Sequence, residues 1–421
     1  MYQRSVLDNG LRILSNTMPH THSVSVGLFV GAGSRYESDE IAGTTHFLEH
    51  LLFKGTKRWP TAQNISEAIE GVGGVMNAST DREITVYWSS VAKPHWQRAL
   101  SVLMDMVINP LLESQEMEKE RQVILEELRM TDDYPSHRVE LLIDQMLWPN
   151  HPMGRDVGGT KESVSRITRD DLVDLMYRQY TPANVVVSLA GNVVHDEVVE
   201  AVTRAISDDW EPRKAQSWSP VCQEQVEAAV QVEYRKSEQA HLCVGIPSLP
   251  LDHPDRYAIS LVNTMFGEGM SSRLFLDVRE KKGLAYDIHS SLSQFRDCGS
   301  LTIYCGSEPS RSIKALDAIL MQLRGLRGGF TSEELSRACE YSKGRLQLRM
   351  EDSRTVVMWQ GGQELLKGEV STVDEVVDSI NAVTVEDVNR VANQIVQDDL
   401  LNLAVVGPFR SDRRFHNLIR Q

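Results

Sequence analysis

The sequence predicts an α+β protein made of two homologous repeats, each a mostly antiparallel sheet packed with helices. With 421 residues, the chain is long enough for two domains with separate cores. The segment that begins at residue 167 as ITRDDL continues through a helical stretch and the strand VVVSLA to Gly191. A similar segment begins at residue 383 as VTVEDV and continues through a helical stretch and LNLAVV to Gly407, 216 residues later at both ends. Because this offset is close to half the chain, we infer that one unit of about 200 residues is duplicated.

The boundary between the repeats is indicated by composition. A segment rich in proline and polar residues, EPRKAQSWSPVCQEQ, lies near the middle of the chain. We therefore predict a first domain over residues 1–211, a linker over 212–225 and a second domain over 226–421.

Strands and helices of the first repeat are predicted from hydrophobic periodicity and from the residues that end each element. The N-terminal stretch YQRSVLDNGLRILSN predicts two strands joined by an Asn-Gly turn. Further strands are expected at residues 24–30, 75–88 and 184–190. Helices are expected at residues 44–55, 61–70, 94–108, 114–131 and 168–180.

Composition argues against several classes of protein. The chain has 59 acidic and 44 basic residues and a formal charge of −15, which argues against nucleic acid as a partner and is compatible with basic peptides. It contains no run of about 18 apolar residues, and its N-terminus has neither an apolar signal region nor an Arg/Ser-rich transit peptide. The five cysteines show no C-x-x-C spacing, which favours reduced thiols. We therefore expect a cytoplasmic protein that binds neither nucleic acid nor membranes.

Three ionisable side chains share one face of the helix predicted at residues 44–55, TTHFLEHLLFKG. His46, Glu49 and His50 are three and four residues apart, which places them together on a 3.6-residue period. Most of the remaining helix is apolar, so burying these groups would be costly without compensation. Two imidazoles can occupy two positions of a tetrahedral zinc site and leave the carboxylate to act on water. The alternative is a core helix whose histidines bond to backbone groups.

A catalytic zinc site needs a third protein ligand, which usually comes from another element. The helix predicted at residues 114–131 carries Glu120 and Glu127, two turns apart on the same face. Taken alone, this stretch is more typical of a charged helix exposed to solvent.

The combination of these motifs resembles the pitrilysin/insulinase family of zinc peptidases, and in particular a single-chain bacterial branch similar to mitochondrial processing peptidase. The pentad HFLEH is followed, 77 residues after His50, by a glutamate within ERQVILEELRM. The resemblance implies a clam-like peptidase with a central cavity and one zinc ion per chain. It makes His46, His50 and Glu127 the metal ligands. It makes Glu49 the general base and Glu120 an assisting carboxylate that supports the site.

A third stretch carries the same resemblance. Residues 73–80, GGVMNAST, resemble a strand that lines the cleft in this family. The resemblance implies that Asn77 and Ala78 bind the main chain of a substrate that is added to the sheet as an extra strand.

The second repeat resembles the family as well. Residues 267–275 (GEGMSSRLF) and 278–286 (VREKKGLAY) match the family's C-terminal repeat, in which an arginine and a tyrosine reach the active site. Arg279 and Tyr286 occupy those places, where they would stabilise an oxyanion or grip the peptide backbone. Without the resemblance, they would be interpreted as a surface arginine and a core tyrosine.

The pentad occurs in the first repeat alone. At the offset of 216 residues, its three ionisable positions are replaced by Val262, Met265 and Phe266. The second repeat is therefore expected to lack zinc ligands and to supply the Arg/Tyr pair.

The sequence thus predicts a zinc metalloendopeptidase of the inverted HxxEH type that hydrolyses extended or unfolded peptides. The negative charge favours basic peptides, and the resemblance implies a homodimer. Because the ligands and the Arg/Tyr pair lie in different repeats, catalysis would require closure about the linker. The alternatives are a non-catalytic scaffold and a processing subunit that depends on a partner chain.

Overall fold

The computed structural model describes residues 2–206 and 210–420. The strands of the described residues are β1 (Tyr2–Val6), β2 (Arg12–Thr17), β3 (Ser23–Val30), β4 (Val75–Thr80), β5 (Thr85–Ala92), β6 (Val185–Gly191), β7 (Ala229–Tyr234), β8 (Ala240–Ser248), β9 (Asp287–Gln294), β10 (Gly299–Ser307) and β11 (Asn402–Gly407).

The α-helices of the same residues are α1 (Thr44–Leu52), α2 (Ala62–Glu70), α3 (Trp96–Ile108), α4 (Ser114–Asp133), α5 (Pro135–Leu147), α6 (Lys161–Arg166), α7 (Arg169–Gln179), α8 (His195–Ala205), α9 (Arg256–Phe266), α10 (Ser312–Gly325), α11 (Ser332–Arg349), α12 (Ser353–Lys367), α13 (Val373–Asn381), α14 (Val385–Ile395) and α15 (Arg413–Ile419). A π-helical segment covers Phe275–Lys281. None of the helices in the described ranges combines the length and the apolar character that a membrane crossing requires.

The chain forms two compact units, and each of them includes a segment from the other half of the sequence. The first unit comprises residues up to 128, 156–219 and 347–372, and the second comprises residues 129–155, 220–346 and 373 onward. The domain boundaries predicted at residues 211 and 226 follow sequence order alone. Sequence analysis did not predict the exchange of segments 129–155 and 347–372.

The expected α+β fold with two mostly antiparallel sheets is confirmed. The first unit has a six-stranded sheet of order β1-β2-β6-β3-β5-β4, and the second has a five-stranded sheet of order β7-β11-β8-β10-β9. One pair of strands in each sheet is parallel, β2 with β6 and β7 with β11. The other pairs are antiparallel. Strands β2, β6, β3, β5 and β4 therefore correspond in order to β7, β11, β8, β10 and β9, as expected for a duplicated unit.

The repeated sequence segments also share their local structure. Thr168 precedes α7 and Thr384 precedes α14, and each forms a capping box with the aspartate three residues later. The strands that follow, β6 and β11, are buried along their whole length. The repeat detected in the sequence is therefore a structural repeat.

The prediction of a single strand at residues 75–88 is wrong, because this stretch forms part of a hairpin made of β4 and β5. The backbone N–H of Asp81 donates to the carbonyl of Ile84 at 2.9 Å and closes the turn. The turn interrupts a stretch rich in β-branched residues, so composition did not reveal the break. As a result, β4 forms an edge of the first sheet.

Helix α12 packs tightly against the sheet of the first unit. The side-chain amide of Gln360 donates to Ser188 Oγ at 2.9 Å. Gly361 lies so close to the ring of Phe29 that a Cβ atom would overlap it, whereas the Cβ position of Gly362 is open. The exchanged segment is therefore part of the first unit's core.

The two adjacent glycines of α12 provide a matched test of this packing. We expect Gly361→Ala to lower the free energy of unfolding by about 1–3 kcal/mol, because the added methyl group overlaps the buried Phe29 ring. Gly362→Ala should leave stability unchanged or raise it by about 0.5–1 kcal/mol, because alanine favours a helix. Denaturant unfolding of both variants measures the difference. Equal effects would contradict the packing of α12 described above.

Candidate metal centre

Helix α1 buries one side and presents His46, Glu49 and His50 on the other, where all three are half-buried. The buried side consists of Phe47, Leu48, Leu51 and Leu52. These residues belong to the main hydrophobic cluster of the first unit. The core therefore fixes the orientation of the face that carries the ionisable groups.

Glu37 fixes the N-terminus of α1. Its carboxylate accepts a hydrogen bond from the Gly43 N–H at 2.8 Å and another from the Thr45 N–H at 2.6 Å. Gly43 adopts a φ of 94°, and a Cβ atom there would overlap the carbonyl of Gly158. A buried carboxylate on unpaired helix N–H groups also complements the helix dipole.

His46, His50 and Glu127 converge in the first unit. Each offers a ligand atom, and these atoms lie within 4.8 Å of one another. Glu127 Oε2 is 3.5 Å from His50 Nε2, and His46 Nδ1 is buried with no hydrogen-bond partner in the described part of the chain. Two imidazoles and one carboxylate are the donor set of a catalytic zinc site. The residues present therefore fit a zinc ion.

Burial prepares two of these side chains for such a role. It lowers the pKa of His46 to about 4, with the nearby His50 contributing, so His46 is neutral at neutral pH, which is the form that binds metals. Burial also raises the pKa of Glu49, and a hydrogen bond from Thr80 opposes the rise. Glu49 is therefore a better proton acceptor than an exposed glutamate.

Glu120 supports His50 from α4. Its Oε2 lies 3.2 Å from His50 Nδ1, and its Oε1 lies 2.6 Å from Lys54 Nζ. This contact favours the tautomer of His50 that carries its hydrogen on Nδ1 and leaves Nε2, 3.5 Å from Glu127 Oε2, without one. This is how an outer carboxylate orients a metal-binding histidine.

The structure places Asn77 and Ala78 on β4, the edge strand next to α1. Their side chains lie on opposite faces: Asn77 is exposed, and Ala78 packs against the core. At the end of this strand, Thr80 Oγ1 donates to Glu49 Oε2. The strand predicted to bind substrate therefore also contacts the predicted general base.

Arg279 and Tyr286 belong to the second unit, whereas the three candidate ligands belong to the first. Arg279 lies in the π-helical segment, with its guanidinium 4.9 Å from the centre of the Phe275 ring. Tyr286 is 78% exposed, so the interpretation as a core tyrosine is wrong. The roles of both residues toward the metal centre stay predictions.

Sequence reasoning missed the contacts of Lys54 and Thr80. Lys54 lies four residues after His50, a spacing that signals a shared face. No comparable local signal links Thr80 to Glu49, because their contact joins two separate elements.

Most of the chain is similar to known protein families. Residues 12–161 match the family model described as insulinase (peptidase family M16), and residues 166–341 match the one described as the peptidase M16 inactive domain. The chain is 37% identical to a protein of Bacillus subtilis named uncharacterized zinc protease YmxG, over 97% of this chain and 98% of that protein. It is also 37% identical to an uncharacterized zinc protease of Streptomyces coelicolor, over 99% and 92% of the two chains.

Solved structures share the fold. A protease from Helicobacter pylori superimposes with a TM-score of 0.90 at 23% identity, over 97% of this chain and 99% of that one. A peptidase M16 inactive domain from Pseudomonas fluorescens superimposes with a TM-score of 0.88 at 21% identity, over 97% and 99% of the two chains.

Removing the charge of Glu120 tests its support of His50. We expect Glu120→Gln to weaken zinc binding by about 10–100-fold, because the amide bonds more weakly to both His50 and Lys54. Competition with a chromogenic chelator measures the affinity. Glu116→Gln is the control, because Glu116 is on the same helix and pairs with Lys119 instead. Equal zinc affinities of the two variants would contradict the proposed support.

Proposed function

Because the chain belongs to the insulinase family of peptidases, family M16, we propose that it is a zinc-dependent endopeptidase that hydrolyses extended or unfolded peptides. The observation that carries this proposal is the convergence of His46, His50 and Glu127 within 4.8 Å, with Glu49 on the same helix face. Relatives named zinc proteases support it.

Each residue of the centre has a chemical role in this proposal. A zinc ion held by His46, His50 and Glu127 would supply Lewis-acid chemistry, polarising the scissile carbonyl and acidifying water. Glu49 accepts the proton of the attacking water and returns it to the leaving amine. Because the hydroxyl of Thr80 donates a hydrogen bond to Glu49 Oε2, the other oxygen, Oε1, is the one that would accept this proton.

We propose one zinc ion per chain. In the second unit, the counterparts Val262, Met265 and Phe266 are buried on α9 and offer no nitrogen or oxygen ligand from a side chain. The match of residues 166–341 to a family model described as inactive supports this assignment.

The proposed substrates are extended because the edge strand β4 can pair with an added strand. Its main chain at Asn77 and Ala78 would bind the peptide next to Glu49.

Arg279 and Tyr286 would donate hydrogen bonds to the peptide or to the oxyanion. The formal charge of −15 favours basic peptides, and a homodimer in the cytoplasm stays a prediction.

A non-catalytic scaffold or a partner-dependent processing subunit is the alternative. The complete set of His46, His50, Glu127 and Glu49 in one unit favours catalysis over a scaffold role. The presence of Arg279 and Tyr286 in the same chain favours a catalyst that needs no second type of subunit.

Replacing the general base tests the proposal directly. We expect wild-type protein to cleave an extended, basic, quenched-fluorescent peptide and Glu49→Gln to lose about 10²–10⁴-fold in kcat, because an amide does not accept the proton. Zinc content should be unchanged, since Glu49 is not a ligand.

Glu70→Gln is the control, because Glu70 is an exposed carboxylate at the end of α2. Equal cleavage by wild type and Glu49→Gln would refute the role of Glu49. Absence of cleavage by zinc-loaded wild type, on acidic and basic peptides alike, would favour the scaffold or partner-dependent alternatives.

A further inference from the structure

The two glutamates next to the candidate ligands are held in different ways. Glu120 is held by a cation, Lys54, at 2.6 Å. Glu49 is held by a neutral hydroxyl, that of Thr80, and has no salt bridge with a lysine or arginine among residues 2–206 and 210–420. Thr80 therefore holds one carboxylate oxygen of Glu49 through a single hydroxyl group and not through an ion pair.

The position of Thr80 follows from the pleat of β4. Side chains alternate along this strand between exposed and half-buried, and Thr80 lies on the half-buried side together with Met76 and Ala78. Since Met76 and Ala78 pack against the core cluster that contains the buried side of α1, this is the face of β4 that meets the helix. The hydroxyl of Thr80 is therefore directed to α1 by the strand itself.

The hairpin keeps Thr80 in place. Thr80 ends β4 directly opposite Thr85, the first residue of β5. Thr85 is fully buried, and its hydroxyl donates to the carbonyl of Ala32 at 3.0 Å. The Oγ1 atoms of the two threonines are 3.5 Å apart. Thr80 is therefore part of a strand and pairs with a buried, hydrogen-bonded residue, Thr85.

Two further hydroxyl groups, those of Tyr87 and Tyr180, interact electrostatically with Glu49. Tyr87 and Tyr180 are buried and hydrogen-bonded to each other at 3.0 Å. Burial is the main cause that raises the pKa of both tyrosines, and the charge of Glu49 contributes to each rise. The two tyrosines that interact with Glu49 therefore stay neutral.

We propose that Thr80 is a positioning residue for the general base: its hydroxyl holds Oε2 of Glu49 and leaves Oε1 to exchange the proton with water. The inference rests on the proposed peptidase function. A free glutamate on a helix has several side-chain conformations, and a small misplacement of a catalytic group costs as much as 10²-fold in rate. Thr80 fixes one conformation without an opposite charge.

The test compares three variants at two adjacent positions. Thr80→Val keeps the branched shape and removes the hydroxyl, whereas Thr80→Ser keeps the hydroxyl. Ser79→Ala removes a hydroxyl from the exposed face of the same strand. For each variant, kcat and KM on the quenched-fluorescent peptide, zinc affinity and melting temperature are measured.

We expect Thr80→Val to lower kcat by about 10–100-fold with KM, zinc affinity and melting temperature near the wild-type values. Thr80→Ser should recover most of the rate, and Ser79→Ala should match wild type. A Thr80→Val variant with wild-type kcat, or a Thr80→Ser variant as slow as Thr80→Val, would overturn the proposal. A change confined to KM would assign Thr80 to substrate binding and would also overturn it.

A crystallographic readout separates this inference from the proposed function. In zinc-loaded crystals of wild type and Thr80→Ser, the carboxylate of Glu49 should adopt one conformation in contact with residue 80. In Thr80→Val, it should adopt another conformation or several. An unchanged Glu49 in Thr80→Val would refute the positioning role even if no peptide were cleaved. A protein that shows the expected conformations but cleaves no peptide would refute the proposed function alone.

Discussion

The structure of the candidate centre depends on a helix that must bury one side and hold three ionisable groups on the other. The buried side of α1 lies in the main cluster of the first unit. Partial burial of His46 itself lowers its pKa and keeps its imidazole neutral. Glu37 satisfies the N–H groups at the start of the helix. The face that meets the proposed metal is therefore fixed before any metal binds, which reduces the cost of binding.

Four glutamates lie on or beside this helix, and the partner of each decides its role. Glu37 accepts from backbone N–H groups and fixes the helix. Glu120 lies between Lys54 and His50 and orients the imidazole. Glu127 reaches His50 Nε2 with a side chain that is 45% exposed, which suits a ligand beside an open position. Glu49 accepts a hydrogen bond from the neutral hydroxyl of Thr80, and the proposal assigns it the proton of the attacking water.

Local patterns predicted the parts of this arrangement that lie within one element. Helical spacing placed His46, Glu49 and His50 on one face, and the internal repeat anticipated the matching topology of the two sheets. Contacts between elements were not predictable in this way. The bond of Thr80 to Glu49 and the packing of α12 on the first sheet depend on tertiary structure, because periodicity shows which face is apolar but not which sheet it covers.

We propose that each chain holds one zinc ion between His46, His50 and Glu127. X-ray diffraction from zinc-loaded crystals, recorded above and below the zinc absorption edge, tests it most directly. We expect one anomalous peak per chain, in contact with these three side chains and close to Glu49. A peak at other residues, a second peak in the second unit or no peak at the candidate centre would contradict the claim.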